Sequence, residues 1–134
     1  MRTIRSRVFG EVEVSEKQCI AFPDGILGFE FIKEYYLLDI DNSPFYSLQA
    51  SGESEIAFIL IQPATFVRDY RLSIGAADME ALGARSVDEL LDFAIVTVPE
   101  NPAQMTANLQ GPIVINKKTR VARQIISLNE EYCT

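Results

Sequence analysis

The sequence contains no histidine and no tryptophan, and only two cysteines among its 134 residues. Without histidine, the commonest general base and metal ligand is missing, and every triad that needs an imidazole is excluded. The cysteines, Cys19 inside a short apolar run and Cys133 near the last residue, have neither a zinc-ligand spacing nor the look of a disulfide framework. That usage fits a reducing cytoplasm. Long apolar runs are also missing: the longest, Ile56 to Ile61, is far short of the roughly 20 residues a spanning helix needs. Met1-Arg2-Thr3-Ile4-Arg5 has no apolar segment of the secretory type. A cytoplasmic protein with no membrane association is expected.

Positive charge is scarce. Lys and Arg total 12 against 19 Asp and Glu, a net charge of -7, which opposes the general attraction to phosphate on which nucleic-acid binders rely. The segment from Val8 to Val67 contains ten acids and only Lys17 and Lys33 as bases, whereas Arg2, Arg5 and Arg7 precede it and Lys117, Lys118, Arg120 and Arg123 follow near the end. One strongly acidic face is expected, with a basic or neutral partner. If the two basic segments pair as sheet neighbours, they serve as solvated edge residues that discourage aggregation.

What the chain has in quantity is apolar bulk, 48% of its residues, enough to bury the core of one domain over 1–134. Short strand-like stretches dominate. Ile4 to Val14 alternates apolar and charged residues around Gly10 and predicts a hairpin. Gln18 to Phe22, Tyr35 to Ile40, Phe45 to Ala50, Glu55 to Ile61 and Phe93 to Val98 predict further strands, and Tyr70 to Ile74 one more. Ala77 to Gly83 reads as a short helix ended by its glycine, and Ser86 with Glu89 as a capping box opening one or two turns through Leu91. There is no internal repeat, low-complexity segment or dividing linker. Nine or ten short strands with one or two short helices predict an all-β fold, a small antiparallel β-barrel-like domain, closed or nearly so.

The most informative stretch is Asn108-Leu109-Gln110-Gly111-Pro112-Ile113-Val114-Ile115-Asn116, with Lys117-Lys118-Thr119-Arg120 and then Val121 to Ile126. It predicts two strands joined by a tight connection. Pro112 lacks an amide hydrogen and so is placed at a strand start or on an edge, and Asn108 and Asn116 are suited to tying off backbone at strand ends. In Pro23-Asp24-Gly25 the residues supply in turn a fixed φ, a side-chain cap and a permissive φ, and Gly25 and Gly28 bracket Ile26-Leu27 in a packed turn. Gly25, Gly28, Asn108, Pro112 and Asn116 are therefore expected to be architectural.

Chemistry is hard to find. The carboxylate pairs Glu11/Glu13, Asp39/Asp41 and Glu53/Glu55 have strand or turn spacing, which places them on one side but leaves them solvated. Gly25 and Gly28 lack the other elements of a phosphate loop. Cys19 has no evident activating partner and reads as a small buried hydrophobe. Phe22, Phe29, Phe31, Tyr35, Tyr36, Phe45, Tyr46 and Phe58 could stack on bases, but in an acidic domain they read as core. No catalytic residue, cofactor site or metal site is assigned.

Phe22-Pro23-Asp24-Gly25-Ile26-Leu27-Gly28-Phe29, then Phe45 with Leu48-Gln49, Ala57-Phe58, and Asn108 to Asn116 with Gln124 resemble, in order and spacing, the flagellar assembly factor FliW family. Gly111 stands where alanine is more usual, and Ala50 where serine is. The resemblance implies a small cytoplasmic β-barrel-like protein without enzymatic activity. It further implies two alternative protein partners, flagellin and the RNA-binding translational repressor CsrA, in a switch that couples flagellin synthesis to export. Asp39, Asp41, Glu53 and Glu55 are the candidate partner-binding acids. An OB-like barrel that binds nucleic acid or another ligand is the alternative, and would need an exposed aromatic and basic strip.

Overall fold

In a computed structural model of the chain, residues 2–65, 74–97 and 106–125 are described. Of the expected Tyr70–Ile74 strand only Ile74 falls among them, and Cys133 and the side chain of Asn108 lie outside. Two short strands open the fold, β1 (Arg2–Ser6) and β2 (Gly10–Val14), followed by β3 (Cys19–Ala21), β4 (Glu34–Asp39), β5 (Phe45–Ala50) and β6 (Ala57–Ile61). Helix α1 (Ala76–Leu82) then precedes β7 (Leu90–Thr97), β8 (Thr106–Asn116) and β9 (Ala122–Gln124). β1 and β2 form a separate hairpin, and β3 to β9 form one antiparallel sheet in chain order.

Alternation along the strands builds the layers, since successive side chains leave opposite faces of the sheet. One face contributes Ile20, Tyr35, Leu48, Leu60, Phe93, Ile113 and Ile115 to the main core. The other face is covered in patches. Tyr36 and Leu38 of β4 lie under Ile4, Val12 and Val14 of the hairpin, while Leu90 and Val114 lie under Leu82 and Met79 of α1. Gly83 closes α1, and Ser86 and Glu89 form the expected reciprocal cap. The turn they open ends at Glu89, however, and Leu90 already belongs to β7 instead of a continued helix. β-Propensity and burial of Leu90 beneath α1 prevail there.

Three expectations are corrected. The sheet does not close into a barrel: β3 meets the chain just before β9 in a single parallel bridge between Ala21 and Val121, with the Ala21 amide donating to the Arg120 carbonyl at 3.0 Å. Strands of three residues each are too short for a full ladder at that seam. The two basic segments are not sheet neighbours, because β1 pairs with β2, where Arg5 faces Glu11, and Lys117, Lys118 and Arg120 sit in the connection between β8 and β9. Pro112 lies inside β8, not at its start. It is tolerated because the β7–β8 register breaks there: Phe93 faces Ile113 and Ile95 faces Asn108, so Ala94 alone stands opposite Leu109, Gln110, Gly111 and Pro112. A bulge demands no amide from proline. The Pro112 carbonyl still accepts from the Ile125 amide at 3.0 Å.

Candidate functional site: a rigid loop that presents apolar side chains

After β3 the chain forms a compact loop whose neck is closed by the Phe22 amide donating to the Lys33 carbonyl at 2.8 Å. Three tight turns follow one another within it, with the amides of Gly25, Phe29 and Ile32 donating to the carbonyls of Phe22, Ile26 and Phe29 at 2.9, 2.7 and 3.1 Å. Gly25 adopts φ +71°, and a Cβ there would stand 2.4 Å from the Glu30 Cα, so no other residue fits without moving backbone. Gly28 adopts φ +89° in open space. The loop packs by its own side chains, as compact surface loops of this size do. Phe22, Ile26 and Ile32 enter the main core, and Phe29 sets its ring edge-on to Phe58 at 5.2 Å.

Leu27 and Phe31 point the other way. They are 81% and 69% exposed, the highest values among the large apolar residues of the described chain. The expectation that the aromatic set forms core fails for Phe31. Sequence could not separate it from its neighbours, because consecutive turns replace any period in Phe29-Glu30-Phe31-Ile32.

Two glutamines fix what surrounds this loop. Gln124 of β9 accepts from the Leu27 amide at 3.0 Å and donates to the Gly111 carbonyl at 3.2 Å, joining the loop to the β8 bulge. Beside it Arg123 reaches Asp78 of α1 at 3.2 Å and Asp24 of the loop at 3.8 Å. Gln49 is wholly buried: its oxygen accepts from the Arg7 amide at 2.8 Å, and its amide nitrogen lies 3.1 to 3.3 Å from the carbonyls of Ala50, Glu53, Ser54 and Ile56. It therefore pins the tip of the first hairpin to the β5–β6 turn. The sequence signal was available in Gln49 itself, a polar residue within an apolar alternation, where burial requires partners.

Asn116 is likewise buried. Its Nδ2 donates to the Leu82 carbonyl at 2.7 Å, and its Oδ1 accepts from the amides of Lys118 and Thr119 at 2.9 and 3.3 Å. One side chain thus shapes the β8–β9 turn and caps the end of α1. The four acids are exposed and split between two places. Asp39 ends β4 and Asp41 lies in the β4–β5 turn, and Glu53 and Glu55 lie in the β5–β6 turn. These turns are at opposite ends of β5, whose six residues span about 17 Å.

Among the described residues reactive groups are few and quiet. Cys19 is half-buried on the wall of a cleft, not enclosed in the core, with its Sγ 3.7 Å from Glu34 Oε2. Burial first, then the Glu34 carboxylate, push its thiol above the ordinary value. That is the reverse of an activated nucleophile. Burial pushes the Asp92 carboxyl up, partly offset by its own backbone amide, and pushes the Tyr35 phenol up to about 12. Among the described residues no three metal-ligating side chains converge, and no helix is long and apolar enough to cross a membrane.

The FliW protein family model matches residues 3–134. The chain belongs to the FliW family. Similar proteins include the flagellar assembly factor FliW of Leptospira interrogans, 42% identical over 131 residues that cover 96% of this chain and 87% of the relative. The Treponema denticola factor of the same name is 41% identical over 123 residues, covering 92% and 84%. A crystal structure of the flagellar assembly factor FliW superposes with a TM-score of 0.90 at 32% identity, covering 99% of this chain and 94% of that one. The loop, the bulged strand and the two glutamine clamps are therefore the local build of a FliW fold.

Proposed function

We propose that this FliW-family chain is a non-enzymatic flagellar assembly factor that acts by binding proteins. In this reading it works in the cytoplasm, binds flagellin, and antagonises the RNA-binding translational repressor CsrA. Flagellin that accumulates occupies the factor and leaves CsrA free to repress flagellin translation; export of flagellin releases the factor to capture CsrA. The observation that carries the reading is the match to the FliW family over residues 3–134. Supporting it, a heavily hydrogen-bonded loop holds Leu27 and Phe31 in solvent, as protein-binding surfaces do.

Relief of repression has a physical route in the net charge of -7. A domain this acidic, docked on or beside a basic RNA-binding surface, opposes phosphate by like-charge repulsion. Asp39 and Asp41 act at one end of β5 and Glu53 and Glu55 at the other, farther apart than the screening length of about 8 Å at physiological salt. Each pair therefore contributes separately.

Calorimetry with purified flagellin and CsrA, at low and high ionic strength, tests the reading. Flagellin affinity should survive salt if an amphipathic segment enters an apolar surface, and near-complete loss in salt would reject that mode. The paired variants Asp39→Lys with Asp41→Lys, and Glu53→Lys with Glu55→Lys, should bind flagellin normally, with at least one of them displacing RNA from CsrA less well. Displacement by both at the parent's level in low salt would reduce these acids to solvation, and failure to bind either protein would end the proposal.

A further inference from the structure

Beside Phe31 lies an open groove of about 220 Å³ lined by Phe31, Ile32, Lys33, Glu34, Ser51 and Glu53. We infer that this groove is a docking point for one basic side chain, an arginine carried on an exposed segment of a protein partner. The inference rests on the reading above only in taking the partner to be a protein, and it commits to a chemistry that the reading leaves open.

Three features support it. The groove is built from fixed backbone: the Ser51 amide donates to the Glu34 carbonyl at 3.0 Å, which brings the β5–β6 turn against the start of β4, and the turns that end at Ile32 set the opposite wall. Its apolar element is a phenylalanine ring, supported on one side by Phe29 at 6.4 Å and 69% exposed overall. An aromatic face open to water attracts a guanidinium, which is weakly hydrated and stacks well. Its charged elements are Glu34 and Glu53 against Lys33, with exposed Glu30 adjoining in the chain. The balance is negative, so charge selects a cation, and the ring selects a planar one over ammonium.

Among the described residues no ion pair joins Glu34 or Glu53 to a base: those of Arg123 go to Asp24 and Asp78 on the loop and α1. Glu34 Oε2 accepts from the Cys19 thiol at 3.7 Å. That contact leaves acceptor capacity on the carboxylate for a partner.

The test uses the full chain, labelled with nitrogen-15 and titrated with N-acetyl-arginine amide, and in parallel with N-acetyl-lysine amide and N-acetyl-norleucine amide. Saturable shifts confined to the amides of Phe31, Ile32, Ser51 and Glu53 are expected with arginine, at least threefold weaker with lysine and absent with norleucine. Phe31→Ser, and separately Glu34→Gln with Glu53→Gln, should each weaken the arginine response at least fivefold while the thermal midpoint stays within 2 °C of the parent, as estimated for exposed positions. Shifts spread evenly over all the acids, or unchanged in both variants, would overturn the inference. Because the probe is a single amino acid, the result stands whether or not flagellin and CsrA bind. If they do, the same variants should weaken at least one of them tenfold, and full affinity of both variants for both proteins would equally reject the groove as a docking point.

Discussion

Replacing Gly25 and Gly28 by alanine, one at a time, separates the cost of a positive φ, which both positions carry, from the cost of a close contact, which only Gly25 carries. Each adopts a positive φ, +71° and +89°, which by itself costs a non-glycine residue about 1–2 kcal/mol. They differ in surroundings. An alanine Cβ at Gly28 meets nothing within 4 Å, whereas at Gly25 it stands 2.4 Å from the Glu30 Cα and 2.8 Å from the Glu30 oxygen. Ordinary carbon contacts need roughly 3.5–4.0 Å, so the Glu30 backbone must retreat by about 1 Å. That retreat pulls on the turn hydrogen bond from Phe29 to Ile26 and on the core contacts of Ile26 and Ile32. Overpacking of this kind costs about 1–3 kcal/mol more. Gly25→Ala should therefore lose about 2–5 kcal/mol, out of the roughly 5–15 kcal/mol that holds such a domain together. Gly28→Ala should lose only about 1–2 kcal/mol. Urea denaturation reads the difference directly as a midpoint gap of roughly 1 M, and thermal melting as roughly 6–10 °C. Equal losses at the two positions would refute the close approach and leave backbone conformation as the whole reason for both glycines.

Asn116→Ala removes three hydrogen bonds from a buried side chain and leaves the Leu82 carbonyl without its 2.7 Å partner, so stability should fall by about 2–4 kcal/mol in urea titration. The surviving folded protein should keep its partner affinity; an unchanged melting temperature with abolished binding would make Asn116 an interface residue instead. Asp92 has a carboxyl raised by burial, so the folded chain holds its proton to higher pH than the unfolded chain does. Stability must then decline as pH rises from the unfolded value, about 3.9, through the raised folded one. Asp92→Asn should be more stable than the parent at pH 7 and lose that advantage below about pH 3.9, and urea midpoints with no pH-dependent gap between the two proteins would contradict the burial.

The sequence by itself determined the all-β class, the order of the strands and their rough positions, because alternation and turn residues are local properties. Phe45 to Ala50 was legible to the residue; the helix ended by Gly83 was legible to within one residue at its start, and the cap of Ser86 with Glu89 was legible but not the length of the turn it opens. The missing histidines and the excess of acid were equally plain, and the spaced motifs carried the resemblance to the family. Tertiary structure decided the rest. Whether Pro112 could lie inside a strand depended on the register of β7 against β8, a relation between segments distant in the chain. The separation of Asp39 and Asp41 from Glu53 and Glu55 depended on which ends of β5 their turns occupy. Phe29 and Phe31 are two residues apart with the same side chain, yet one packs on Phe58 and the other faces water. The turns of the loop and the ring of Phe58, brought up from β6, set that choice, and the second is a contact that no local pattern encodes.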